Sequence, residues 1–116
     1  MVDDCIFCKI IAGDIPSSKV YEDEEVLAFL DISQVTPGHT LVVPKKHARN
    51  LLEMDETATA QLFARVSKVA KKVETATQAK GMNIISNMEE VSGQTVFHTH
   101  VHIIPRYSDQ DELAIS

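Results

Sequence analysis

His98-Thr99-His100-Val101-His102-Ile103-Ile104 is the stretch on which the reading of this chain turns. Side chains in a strand alternate between two faces, so the pattern predicts an extended segment from Val96 to Ile104, stopped by Pro105. His98, His100 and His102 then share one face. Thr99, Val101 and Ile103 share the other, where they can meet a helix. Register is strongly specified, because a one-residue slip would bury three imidazoles.

Three readings of this row compete. In a metal site, alternate residues lie about 6.6 Å apart and the outer pair about 13 Å, whereas zinc takes nitrogens at about 2.0–2.1 Å. Two neighbouring rings can meet such an ion; three on an unbent strand hardly can. In a catalytic row, a neutral imidazole with an ordinary pKa of about 6.5 is a competent nucleophile toward phosphorus. His100, with a histidine on each side, is the natural attacker, and its neighbours orient it and donate to phosphate oxygens. The third reading is a polar sheet face without chemistry, where three histidines in strict alternation would be unusual. His39 and His47 taken alone prove nothing.

Outward from the row, a polar loop runs from Asn87 to Thr95. Gly93 lets backbone approach a ligand, Gln94 and Thr95 offer side-chain donors, and successive amides can form an anion-binding hollow. Such loops are also often plain turns. Met82 to Ser86 reads as a strand. Leu62, Phe63, Val66, Val69, Ala70 and Val73 recur at three- and four-residue steps and predict a long helix, capped by Asp55 and ended by Gly81. Thr40 to Val43, closed by Pro44, and Val26 to Leu30 are strands joined through a loop from Ile32 to Gly38. Glu22 to Glu25 is an acidic, solvated turn between strands, with a cation site as its less favoured alternative. Ile6 to Ala12 is a brief helix that stops at Gly13. Strands on short turns with one long helix between them make an α+β domain with an antiparallel sheet.

The 116 residues fit a single domain, 1–116, and the 44% hydrophobic fraction suits a globular core. A domain this small would gain from pairing with a second copy. A net charge of -6 argues against nucleic-acid polymers and anionic membranes as partners, while leaving room for one small phosphate ligand. Met1-Val2-Asp3-Asp4 lacks the pattern of a signal peptide and no apolar run is long enough to span a bilayer, so a cytoplasmic location is expected. The acidic tail, 109–116, is expected to be mobile. Cys5 and Cys8, the two cysteines, have metal-ligand spacing. A redox pair normally opens a helix after a strand, and none precedes it; two buried thiols is the plain alternative.

Taken together, these residues resemble the histidine-triad (HIT) family, whose pattern is His-φ-His-φ-His-φ-φ, with Thr99 the one less apolar φ. Cys5-Ile6-Phe7-Cys8-Lys9-Ile10-Ile11, Phe29-Leu30-Asp31-Ile32, Pro37-Gly38-His39, Val43-Pro44-Lys45-Lys46-His47, Asn87 and Gly93-Gln94-Thr95 add to the resemblance. It covers nearly the whole chain and is nearest to the bacterial form of the Hint-like branch.

The resemblance implies a five-stranded antiparallel sheet with one long and one short helix, and a dimer whose two sheets join into ten strands through the long helix and the Met82 strand. It implies cleavage of purine nucleoside phosphoramidates or related nucleoside monophosphate conjugates through a nucleotidyl intermediate on His100, with no organic cofactor. The backbone carbonyl of His98 would orient the His100 ring. His102, Asn87, Gly93, Gln94 and Thr95 would surround the phosphate, Asp31 would hold the ribose hydroxyls, and Ile6, Phe7, Ile15, Phe29 and Ile32 would line the base pocket. A carboxylate does suit a diol, and apolar side chains suit a flat base.

Zinc-bearing bacterial members imply that His47 and His98 complete a Cys5-Cys8 site around a structural zinc. With zinc bound, His98 is structural and His39 supports His98 or the metal environment; without it, His39 and His98 form a proton relay. Two further functional readings are a dinucleoside polyphosphate hydrolase, with which Gln94 is compatible, and a nucleotide-binding scaffold with a partner surface at Lys45-Lys46-His47-Ala48-Arg49.

Overall fold

A computed structural model of the chain describes residues 4–109. The expected signal-free N-terminus and the acidic tail fall almost wholly outside them, apart from Asp4 and Asp109. The elements run α1 (Ile6–Ala12), β1 (Lys19–Glu22), β2 (Val26–Leu30), β3 (Thr40–Pro44), α2 (Glu56–Thr77), β4 (Gly81–Ile85) and β5 (Val101–Arg106). The strands form one sheet in the order β1-β2-β3-β5-β4, with every neighbouring pair antiparallel. This is the α+β, five-stranded architecture the sequence implied. No helix among the described residues is long and apolar enough to cross a membrane.

The two helices cover opposite faces. From α2, Leu62, Val66, Val69 and Val73 pack on Val26, Ala28, Val42, Val101 and Ile103. Each such burial contributes about 1.5–3 kcal/mol. Phe63, one step round the helix from Leu62, is left exposed. On the other face Phe7, Cys8 and Ile10 of α1 meet Leu27, Phe29, Leu41 and Val43. Both helix starts are capped, α2 by Asp55 and α1 by the Cys5 sulfur. Gly13 ends α1 at φ 85°, where any other residue would be strained.

Three local expectations are corrected. The long helix ends not at Gly81 but at Gln78, at φ 58°, whose backbone N–H donates to the Glu74 carbonyl and whose amide donates to the Thr75 carbonyl. Those two bonds offset the cost of a left-handed non-glycine, and Gly81 instead opens β4. The histidine strand starts at Val101, not Val96, because its ladder with β3 reaches only Val42↔Val101. Before that point the backbone bonds across to the loop after β3: the Thr99 amide donates to the Ala48 carbonyl at 2.8 Å. Nor does Pro105 stop the strand. Position 105 lies beyond Thr40↔Ile103, the end of the β3 ladder, and the Pro105 carbonyl there accepts from the Thr36 hydroxyl at 2.6 Å. With no ladder partner on that side, its missing N–H costs nothing.

Candidate active site and metal cluster

The three imidazoles lie on the α1 face and are all buried. The irregular backbone before Val101 lets each ring take a different partner. His98 turns to the cysteines, His102 turns to His39, and His100 lies between. The Phe7 ring stands edge-on to His98 and His100, with centroids 5.9 and 5.1 Å away.

His100 Nδ1 lies 2.7 Å from the backbone carbonyl of His98. A carbonyl only accepts, so Nδ1 carries the proton and Nε2 carries the lone pair of the neutral ring. Among the described residues Nε2 has no hydrogen-bond partner. The ring is 4% exposed, held by Phe7 on one side and His102, 5.1 Å between centroids, on another.

The same accounting orders His39 and His102. The Val35 amide donates to His39 Nδ1 at 3.2 Å, so His39 Nε2 carries the proton and donates to His102 Nδ1 at 2.9 Å. The Asp31 carboxylate lies 3.6 Å from the same His39 nitrogen. Burial pushes the His39 pKa down, and Asp31 offsets part of that. His39 therefore meets His102 and not His98, which corrects both expected roles for it beside His98. Asp31, His39 and His102 also lie close enough to converge on a cation.

Cys5, Cys8, His47 and His98 bring one ligand atom each to within 4.8 Å of one another. His98 Nδ1 is 3.3 Å from the Cys5 sulfur, 3.6 Å from that of Cys8 and 3.1 Å from His47 Nδ1. His47 Nδ1 is 3.4 Å from the Cys8 sulfur. The Cys-x-x-Cys spacing works because Cys5 caps the first turn of α1 and Cys8 lies within it. His98 Nε2 donates to the Pro44 carbonyl at 2.8 Å, which leaves Nδ1 bare toward the sulfurs. Burial, with His47 and His100 nearby, lowers the His98 pKa to about 4 despite the Pro44 bond, and burial raises that of the Cys5 thiol.

The residues expected around a nucleotide are divided. Phe29, Asp31 and Ile32 line a cavity of about 380 Å³ with Ile10 and Gln34. Ile6 and Thr95 line a different one of about 510 Å³, with His47, Arg49 and Phe97. Neither includes His100 in its lining. Phe7 is core, and Ile15 packs against that core. Asn87 is half-buried and Thr95 exposed, and Gly93 sits at φ 104°.

Gln94 corrects its expectation. Its amide nitrogen donates to the Arg49 and Val96 carbonyls at 2.7 and 3.0 Å, and its oxygen accepts from Asn50 Nδ2 and the Glu89 amide at 3.1 and 2.8 Å. Both donors are committed, so the buried side chain has none left for a phosphate. Three side chains of the basic segment are likewise engaged, while Lys46 is exposed. Lys45 pairs with Glu22 and Arg49 with Glu89, while His47 belongs to the cluster. Sequence reading missed the Arg49–Asn50–Glu89–Gln94 network, because no local pattern pairs residues some forty positions apart.

The sequence profile of the HIT domain matches residues 12–109. Among relatives, "Protein hit" of Bacillus subtilis (strain 168) is 57% identical over 109 residues, covering 94% of this chain and 75% of the relative. Adenosine 5'-monophosphoramidase hnt1 of Schizosaccharomyces pombe is 40% identical over 111 residues, covering 96% of this chain and 80% of the relative. The crystal structure of SMU.412c from Streptococcus mutans UA159 superposes with a TM-score of 0.93 at 62% identity, covering 100% of this chain and 74% of that one.

Proposed function

The chain belongs to the HIT domain family, and from that premise we propose that it hydrolyses nucleotide conjugates, specifically purine nucleoside phosphoramidates and related nucleoside monophosphate conjugates, through a covalent nucleotidyl intermediate on His100. One observation carries the reading: the His98 carbonyl holds the proton of His100 on Nδ1 and so leaves the basic lone pair on Nε2, the nitrogen that would attack. The Schizosaccharomyces pombe relative, an adenosine 5'-monophosphoramidase by name, supports the substrate class.

In the first step the His100 Nε2 lone pair forms a bond to phosphorus while the bond to the leaving group breaks, its electron pair going to the leaving atom. His102, whose proton is directed to Nε2 by the bond from His39, supplies a hydrogen bond to the phosphoryl group or the leaving atom. In the second step water bonds to phosphorus and gives a proton to the departed leaving group or to solvent, while the P–N bond breaks with its electron pair returning to His100 Nε2. Asp31 accepts from the ribose hydroxyls beside Phe29 and Ile32, in a cavity of suitable character for a nucleoside. Asn87, Gly93 and Thr95 face the phosphate.

We assign the Cys5-Cys8-His47-His98 cluster to a structural zinc ion. With Zn–S about 2.3 Å and Zn–N about 2.0–2.1 Å, the S–N and N–N edges of a tetrahedral site run to about 3.3–3.6 Å. The observed separations, 3.1 to 3.6 Å, fit. When bound, the ion ties the start of α1 to the loop after β3, and His98 then serves as ligand through its ring and as positioner through its carbonyl. A homodimer formed through α2 and the edge strand β4, where Ile84 is exposed, completes the proposal. No specific observation favours the dinucleoside polyphosphate or scaffold readings, and Gln94, Lys45, His47 and Arg49, which would support them, are engaged within the chain.

The test is a turnover screen of adenosine and guanosine phosphoramidates against dinucleoside polyphosphates, with wild type and His100→Asn. The expected result is phosphoramidate turnover by wild type and its loss in the variant, with nucleotide binding retained. Full activity in the variant would exclude the mechanism.

A further inference from the structure

Glu89 stands at φ 77° and ψ 158°, a backbone region that only glycine adopts without strain. Such a conformation persists only where neighbours enforce it, and here they do. Arg49 gives Nε and Nη2 to the two carboxylate oxygens, each at 2.8 Å, and Asn50 Nδ2 adds a bond of 2.7 Å. The Glu89 amide donates to the Gln94 side chain at 2.8 Å, and its carbonyl accepts from the Ser92 and Gln94 amides at 3.1 and 3.2 Å. Arg49 is itself fixed, with its guanidinium 4.2 Å over the Phe97 ring and its amide bonded to Glu53. Isolated surface ion pairs contribute little, but a bidentate pair within a network is the exception.

The location gives this clamp a consequence. Glu89 lies between Asn87 and Thr95 in the loop that joins β4 to the histidine row. Ser86, at the start of the loop, donates to the His100 carbonyl at 2.8 Å. Within the turn from Glu89 to Gln94, the Ser92 and Gln94 amide bonds both end on the Glu89 carbonyl and so depend on its orientation.

We propose that Glu89 is a positioning residue: its pair with Arg49 holds a glycine-like backbone at a non-glycine, and so fixes the 87–95 loop in the shape that receives the phosphate. The ligand named here rests on the function proposed above; the clamp itself does not. Without the carboxylate, a residue with a Cβ relaxes toward negative φ and the turn rearranges. Glycine can keep the conformation unaided. The usual order of tolerance is therefore inverted, with alanine worse than glycine.

The experiment compares wild type, Glu89→Ala, Glu89→Gly, Arg49→Gln and the double variant Glu89→Gly/Arg49→Gln. Adenosine 5'-phosphoramidate is the substrate, kcat and KM are resolved separately, and amide hydrogen exchange is followed at Ser92 and Gln94. Glu89→Ala and Arg49→Gln should each raise KM about tenfold with kcat within about threefold, Glu89→Gly should stay within about threefold in both, and Arg49→Gln should add nothing in the glycine background. Exchange at Ser92 and Gln94 should quicken in the alanine variant and not in the glycine one. Wild-type kinetics in Glu89→Ala, equal impairment in alanine and glycine, or unchanged exchange in the alanine variant would each overturn the proposal. Should wild type neither bind nor cleave the phosphoramidate, the functional reading fails, and the exchange measurement still decides the clamp.

Discussion

The ring of His98 donates from Nε2 to the carbonyl of Pro44 at 2.8 Å, and this bond determines which of its nitrogens faces Cys5 and Cys8. One backbone oxygen thus sets which nitrogen His98 turns toward the candidate metal cluster. It also fixes His98 so that its own carbonyl meets His100.

The metal assignment gives the first prediction. Protein purified without added zinc should carry about one equivalent per chain, and Cys8→Ser should carry little, with a lower Tm. Each kcal/mol of lost stability should lower Tm by about 4–8 °C in a domain of roughly this size. Elemental analysis alongside thermal unfolding checks it. Less than about half an equivalent in wild type would remove the assignment.

The Gln94 amide gives the second. Gln94→Glu withdraws both donors from the Arg49 and Val96 carbonyls and sets a carboxylate against them. Destabilisation of about 3 kcal/mol or more is expected from urea unfolding. An unchanged midpoint with weakened nucleotide binding would instead make the amide a ligand contact.

Much of this was legible in the sequence, and the rest was hidden for physical reasons. The stripe of Leu62, Val66, Val69 and Val73 and the alternation of Val101 with Ile103 sufficed for α2 and the inward face of β5, because periodicity is a local property. The Cys5-x-x-Cys8 spacing marked two sulfurs that meet in one cluster for the same reason. The irregular backbone from Val96 to His100 could not be read, since it depends on carbonyls of the loop after β3 that no pattern in the histidine segment encodes. That irregularity lets the three rings take different partners, and the neat alternation of the sequence concealed it. Likewise Gln94 looked like an available donor until the partners from Arg49, Asn50 and Glu89 were in place.

Asp23 supplies a pH prediction. Burial pushes its carboxyl pKa up, but the Tyr21 hydroxyl, Arg65 and the Glu25 and Val26 amides outweigh that and hold it well below the ordinary 3.8. A carboxylate depressed on folding stabilises the native state fully above its unfolded pKa and loses that contribution as pH falls below it. Asp23→Asn keeps acceptors for the turn amides but loses the charge opposite Arg65, 2.9 Å away. Urea unfolding should show the variant about 1–2 kcal/mol less stable at pH 7, with the gap shrinking progressively below pH about 4. A gap that persists unchanged at pH about 2.5 would contradict this.

The mechanism depends on one nitrogen atom, His100 Nε2, and trapping its adduct is the decisive experiment. Wild-type protein mixed with excess adenosine 5'-phosphoramidate, quenched within its first turnovers under non-acidic denaturing conditions and analysed by peptide mass spectrometry, should carry one adenosine monophosphate group on the His100 peptide. Rapid product formation with that peptide unmodified, or with the group on another histidine, would contradict the account.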